Sequence, residues 1–196
     1  MTKRLHGFAS YYDTKDLNVT GDIDKQLDSA IESAIVIVFR SNVFDQRYWC
    51  QKEVLWAEQH GRPVLTVDAR WHLEHGPSVI NFDSTPVVRI PDGSVTRIIT
   101  AALLEALRVE LFTARVQAHG ASIASTSVRA LPRVPSLVSL HGACDDLNKA
   151  AAVPSYVVYP NPSLPELLRQ SAQGLAQTFV PRCEVRSLDE FRLVVK

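Results

Sequence analysis

The sequence has no excess of charge of either sign, since 21 Lys and Arg balance 21 Asp and Glu. No net positive field is available to gather nucleic acid or an anionic membrane surface, so we expect neither as a partner. Long apolar runs are also missing. The longest, residues 34–39, is far shorter than the roughly 20 residues that a helix needs to cross a bilayer.

Cysteine is scarce. Cys50, Cys144 and Cys183 are odd in number and widely separated, and none forms a CxxC spacing. This pattern favours reduced thiols over a disulfide framework or a zinc site, so we expect no metal. The basic N-terminus is not followed by an apolar stretch and a cleavage site. No secretory signal is apparent, and we expect a cytoplasmic location.

What the sequence does contain is an alternation of short apolar runs and amphipathic stretches. Asp22 can cap a helix whose apolar residues keep a 3.6-residue period. The β-branched run at 35–39 is typical of a strand covered on both faces. A helix, two strands and a long helix are then predicted at residues 48–60, 63–67, 86–90 and from about 95. The alternation predicts an α/β fold with a parallel, flavodoxin-like sheet.

A change of composition predicts a second module after this sheet. Residues 119–134 are expected to form a linker between a first domain at 1–118 and a small, partial α/β module at 135–196. The role of that module is not predicted. Its expected elements are strands at 137–140, 156–159 and 183–186 and an amphipathic helix at 164–179.

The most informative pattern is an ordered series of parts between residues 33 and 65. It consists of a helix ending at Ser33, a buried strand, the loop Ser41-Asn42, a WCxxE motif from Trp49 to Glu53, and the strand that begins Pro63-Val64-Leu65. In this order the parts resemble the prokaryotic TIR (Toll/interleukin-1 receptor) domain over roughly residues 8–110. The family's first strand and helix have no counterpart here, so the resemblance implies an N-terminally incomplete TIR-like sheet.

The resemblance also implies an activity. Glu53 would be the catalytic carboxylate of an NAD+ nucleosidase that releases nicotinamide and leaves ADP-ribose or a cyclised form. Trp49, Ser41, Asn42 and Asp13 would bind the substrate. NAD+ enters as substrate, so we expect no cofactor. The family implies activation by self-association through TIR surfaces and a role in antiphage defence signalling.

The chemistry explains why one carboxylate can suffice. Nicotinamide is attached as a cationic pyridinium and leaves as a neutral molecule, so the general acid that ordinary glycosidases need is not required. Trp49 and Glu53 are four residues apart and should project from nearly the same side of a helix, while Cys50, Val54 and Ala57 face the sheet. Glu53 would then stabilise the oxocarbenium-like charge.

Other interpretations stay open. Glu53 could be a structural helix carboxylate, and the chain a non-catalytic TIR interaction and signalling module that assembles through its BB loop. A generic flavodoxin-like response module is disfavoured, because no acidic phosphoacceptor cluster is found at the predicted strand ends. His72, Glu74 and His75 match no common zinc spacing and are better explained as a solvated loop.

Overall fold

Two small parallel sheets, each of three strands, organise the chain. The structure is a computed structural model that describes residues 22–69, 84–89, 94–123, 125–150 and 154–194. Six α-helices accompany the strands within these ranges. The predicted α/β class is therefore confirmed. No helix in the described ranges is both long enough and apolar enough to cross a membrane.

The first sheet has the strand order β1-β2-β3, with β1 at Val36–Arg40, β2 at Val64–Asp68 and β3 at Val87–Arg89. Both pairings are parallel; Val36 lies opposite Val64, and Thr66 opposite Val87. In β2, four successive residues from Val64 are buried, which is what a central strand covered on both faces requires. The three strands predicted from the sequence here are confirmed to within one or two residues.

Helices α1 (Ile23–Ile31) and α2 (Tyr48–Gln59) lie on either side of β1 in the chain. The Asp22 carboxylate accepts a hydrogen bond from the backbone N–H of Lys25 at 3.3 Å, as expected of an N-cap. Gly61 follows the end of α2 with a φ of +63°, the left-handed conformation that glycine adopts without strain. As predicted, α1 begins at the Asp22 cap and α2 ends before Gly61.

The second sheet has the order β4-β5-β6, all parallel. Its elements follow one another as strand and helix: β4 Ser127–Ala130, α4 Leu137–Ala150, β5 Ser155–Tyr159, α5 Glu166–Phe179, β6 Cys183–Ser187 and α6 Leu188–Val194. The predicted strands near 156–159 and 183–186 and the helix near 164–179 are confirmed. The core between this sheet and helices α4 and α5 contains both Cys144 and Cys183.

Two predictions for this region are wrong. Residues 137–140, expected to form a strand, are the first turn of α4. The reason is a local cap: the Ser136 hydroxyl accepts a hydrogen bond from the Ser139 N–H at 3.1 Å, which favours a helix over a strand. The first strand of the sheet is instead β4, which lies inside residues 119–134, the span expected to be a linker. Whether the chain divides into two domains there stays a prediction.

A third helix serves both sheets. Helix α3 (Val95–Gly120) is 26 residues long. Its residues Ile98 and Ala102 pack in the core of the first sheet. Phe112 and Val116 pack in a core of the second. One face of a single helix therefore covers parts of both sheets.

A buried ion pair joins the two sheets beside α3. The side chain of Glu105 is only 4% exposed, and its carboxylate accepts hydrogen bonds from Arg108 and Arg133. Arg133 also donates to the backbone carbonyl of Val64 in β2 at 2.7 Å. The segment after β4 is thus tied directly to the centre of the first sheet.

Helices α2 and α4 approach each other closely at Gly142. A Cβ atom added there would collide with the backbone carbonyl oxygen of Gln59, which cannot move without shifting the end of α2. In α5, by contrast, a Cβ added at Gly174 would meet nothing within 4 Å. A side chain at position 142 would therefore clash with α2, whereas a methyl group at position 174 has open space.

We expect Gly142→Ala to reduce the free energy of unfolding by about 1–3 kcal/mol, because the two helices must separate to accept the methyl group. Gly174→Ala is the matched control and should add about 0.5–1 kcal/mol, since alanine favours a helix interior where space is open. Urea unfolding of both variants measures this. Equal effects of the two substitutions would contradict the close approach.

Candidate functional site

The WCxxE motif occupies the first turns of α2. Val54 and Ala57 are 1% and 0% exposed. Both lie in the core of the first sheet, and Cys50 packs against the same core. Glu53 is half-buried and Trp49 is 46% exposed. The predicted core face of the helix, formed by Cys50, Val54 and Ala57, is therefore confirmed.

The loop with Ser41 and Asn42 follows the carboxyl end of β1, as expected. The Ser41 carbonyl accepts a hydrogen bond from the backbone N–H of Phe44 at 3.1 Å, which begins the 3-10 turn Phe44–Gln46. Phe44 is buried, whereas Ser41 is half-buried and Asn42 is exposed. The loop leads straight into α2. Asp13, the remaining predicted substrate-binding residue, lies outside the described residues.

A lysine that the sequence interpretation missed lies close to three aromatic rings of α2. The Lys52 ammonium lies 4.7 Å from the ring centroid of Trp56, 5.1 Å from that of Trp49 and 5.6 Å from that of Tyr48. It also forms an ion pair with Asp24 of α1 at 2.6 Å. The signal was present in the sequence, because these residues are spaced three or four apart along a helix, where side chains are neighbours.

The ion pair with Asp24 raises the pKa of Lys52, because the carboxylate hydrogen-bonds the charged ammonium; desolvation opposes this to a lesser extent. Lys52 therefore stays protonated beside the rings. The exposed indole of Trp49 accordingly has a permanent positive charge close to it. Sequence reasoning predicted the position of Trp49 but not this neighbour.

An open groove of about 420 Å³ lies where α2 meets α4. Its lining is mainly apolar and consists of Lys52, Leu55, Trp56, Gln59, Leu137, Val138 and His141. Glu53 and Trp49 are not among the lining residues. Sequence reasoning could not anticipate this groove, since it assigned residues 137–140 to a strand instead of to the helix that forms one wall.

A second carboxylate of α2, Glu58, lies at the junction between the two sheets. It accepts a hydrogen bond from the Ser136 hydroxyl at 3.0 Å. Burial raises the pKa of Glu58, while the hydrogen bond from Ser136 and the charge of Arg133 act in the opposite direction and only partly offset it. Glu58 is therefore part of the junction between the two sheets, where its neighbours only partly offset the cost of burying its charge.

The remaining reactive side chains do not form an alternative functional site in the described part of the chain. Cys144 and Cys183 are buried and Cys50 is half-buried. No cluster of three His, Cys, Asp or Glu side chains suited to a metal ion occurs among the residues that the structure describes. His72, Glu74 and His75 fall outside those residues.

Comparison of the chain with protein-family models, with curated proteins and with solved structures gave no match. Any function must therefore be inferred from the residues themselves and their arrangement. Among them, the WCxxE helix after β1 is the feature with the clearest chemical meaning.

We expect Glu58→Gln to melt at a higher temperature than the wild type at neutral pH. A carboxyl whose pKa is raised on folding contributes stability that is complete below its unfolded value of 4.5 and is lost as the pH rises through the raised folded value. The glutamine removes this loss and can still accept the hydrogen bond from Ser136. The difference in melting temperature should shrink towards about pH 4.

Thermal melts at both pH values measure this effect. Glu32→Gln, which changes an exposed carboxylate at the end of α1, is the control and should melt like the wild type at each pH. A Glu58→Gln variant that melts below the wild type at pH 7 would mean that the attraction of Glu58 to Arg133 outweighs its burial cost.

Proposed function

We propose that this chain is a TIR-like NAD+ nucleosidase in which Glu53 acts on the ribose of the nicotinamide nucleotide. One observation carries the proposal: the WCxxE motif forms a helix directly after the loop at the carboxyl end of a parallel strand, with its core face packed and Glu53 half-buried. Open α/β sheets bind their ligands outside the carboxyl ends of their strands. The order β1-β2-β3 agrees with part of a flavodoxin-like TIR sheet.

The reaction needs little from the protein besides electrostatics. The bond between the anomeric carbon and the pyridinium nitrogen breaks, and its electron pair leaves with neutral nicotinamide. Water then attacks the ribosyl cation and loses a proton, which gives ADP-ribose. A carboxylate about 4 Å from the developing cation stabilises it by about 4 kcal/mol at an effective dielectric constant near 20.

The neighbours of Glu53 would position the substrate. Trp49 is exposed enough to stack on a ring of NAD+. Ser41 and Asn42 would contribute polar groups at the mouth of the pocket. In this proposal a second copy of the chain completes the pocket, so activity depends on assembly, as in antiphage signalling by TIR domains.

A second candidate is a non-catalytic TIR interaction and signalling module. Two observations favour it: Glu53 already interacts with another group of the chain, as a structural carboxylate does, and it does not line the groove beside α2. Both candidates predict self-association. They differ in whether the carboxylate contacts substrate.

We expect the purified protein, at high concentration or fused to an oligomerising domain, to release nicotinamide from NAD+. Glu53→Gln should lower the rate by about 100- to 1000-fold, because the substitution removes the charge opposite the ribosyl cation and preserves the shape of the side chain. Liquid chromatography of the reaction measures nicotinamide and the ADP-ribose product.

Glu32→Gln serves as the matched control, since it removes an exposed carboxylate at the end of α1 and should leave the rate unchanged. Circular dichroism establishes that each variant is folded. A folded wild type that releases no nicotinamide in the oligomeric fusion favours the interaction module. Equal rates for the wild type and Glu53→Gln would assign the chemistry to another group.

A further inference from the structure

Helix α3 carries a leucine stripe on the side that faces away from both sheets. Leu104, Leu107 and Leu111 are 61%, 55% and 52% exposed. Their spacing of three and four residues puts them in one row along the helix. Ala114 and Ala118 continue the row and are also exposed. Three large apolar side chains in a row are more than the scattered exposed leucines normal for a protein surface.

The row lies opposite the buried face of the helix. The buried positions are Ile98, Ala102, Glu105, Val109, Phe112, Val116 and Gly120, which repeat at the same helical spacing. The leucines lie between these positions in the sequence, but on the opposite side of the helix axis. A partner helix could therefore lie along the stripe without disturbing either sheet.

The stripe has the pattern of a short coiled-coil seam. With Leu104 at position a, Leu107 and Leu111 take positions d and a, and Ala114 takes the next d. The flanking g and e positions are then occupied by Glu110 and Arg115. Both side chains are exposed. They are five residues apart, so they do not form the i, i+4 ion pair that stabilises a single helix.

The charges select one orientation of a second copy. In a parallel pair of helices, a residue at g lies beside the residue at e of the following heptad in the partner, so Glu110 of each copy meets Arg115 of the other. In an antiparallel pair, g faces g and e faces e. Glu110 would then face Glu110, and the e residues Arg108 and Arg115 would face arginines.

We propose that this chain forms a parallel homodimer through the leucine stripe of α3, with two symmetric ion pairs between Glu110 and Arg115. The two protomers lie on opposite sides of the helix pair, because each buries the other face of α3 in its own cores. The dimer leaves α2 uncovered. It goes beyond the proposed nucleosidase activity and is independent of the chemistry of Glu53.

Sedimentation velocity over a micromolar concentration series tests the dimer. The wild type and Glu53→Gln should dimerise equally. Leu107→Glu should raise the dissociation constant by about 100-fold or more, since each dimer loses two buried leucines. Leu167→Glu is the control; this leucine of α5 is 74% exposed, and its replacement should leave the dimer intact.

Charge exchange tests the orientation. Glu110→Arg and Arg115→Glu should each weaken the dimer several-fold, and the double variant should restore it, because only a parallel pair brings these residues together. Leu104→Cys and Leu111→Cys should each form a disulfide-linked dimer on mild oxidation. The wild type, with its native cysteines, gives the background.

Three results would overturn the proposal. The first is a wild type that stays monomeric across the concentration series, and the second is a dimer that Leu107→Glu leaves intact. The third is cross-linking only when Leu107→Cys and Leu111→Cys are mixed, because antiparallel helices place position d of one helix opposite position a of the other. Each is measured on folded protein, since the substituted side chains of α3 and α5 are exposed.

Discussion

The structure depends on one buried pair of opposite charges, Glu105 and Arg133. Burial lowers the pKa of Arg133, and the carboxylate of Glu105 acts against this by stabilising the charged guanidinium. Arg133 is costly to bury without Glu105, because a buried charge left without its partner costs about 3–5 kcal/mol. Since Arg133 also holds the carbonyl of Val64, the pair fixes the segment after β4 against the first sheet. The position of α4 against α2, and hence the groove between them, follows from this attachment.

Much of the fold follows from the sequence where local rules agree with the tertiary structure. The period of the apolar residues, the cap at Asp22 and the glycine after α2 predicted the first sheet and its helices closely. Residues 137–140 show where such rules fail. The four residues Leu-Val-Ser-Leu are compatible with a strand or with the start of a helix. The hydrogen bond that the Ser136 hydroxyl accepts favours the helix. Strand β4 was missed because four residues rich in small and charged side chains carry little periodic signal.

The candidate site was predictable to a smaller extent. The motif on α2 gives the side of the helix on which Glu53 and Trp49 lie, because that depends only on helical spacing. It does not give the contacts that other side chains of α2 make with distant parts of the chain. The ion pair between Lys52 and Asp24 joins residues 28 positions apart. Likewise, the bond between Glu58 and Ser136 spans 78 positions. No local pattern encodes such contacts.

The shared helix α3 has a consequence for how the protein can be divided. Its first half covers one sheet and its second half the other, so a chain break anywhere along it removes apolar cover from at least one of them. A fragment that ends after residue 94 or begins near 121 would expose a row of strand side chains to solvent. A chain break within α3 is therefore poorly tolerated, and a stable fragment has to contain both sheets.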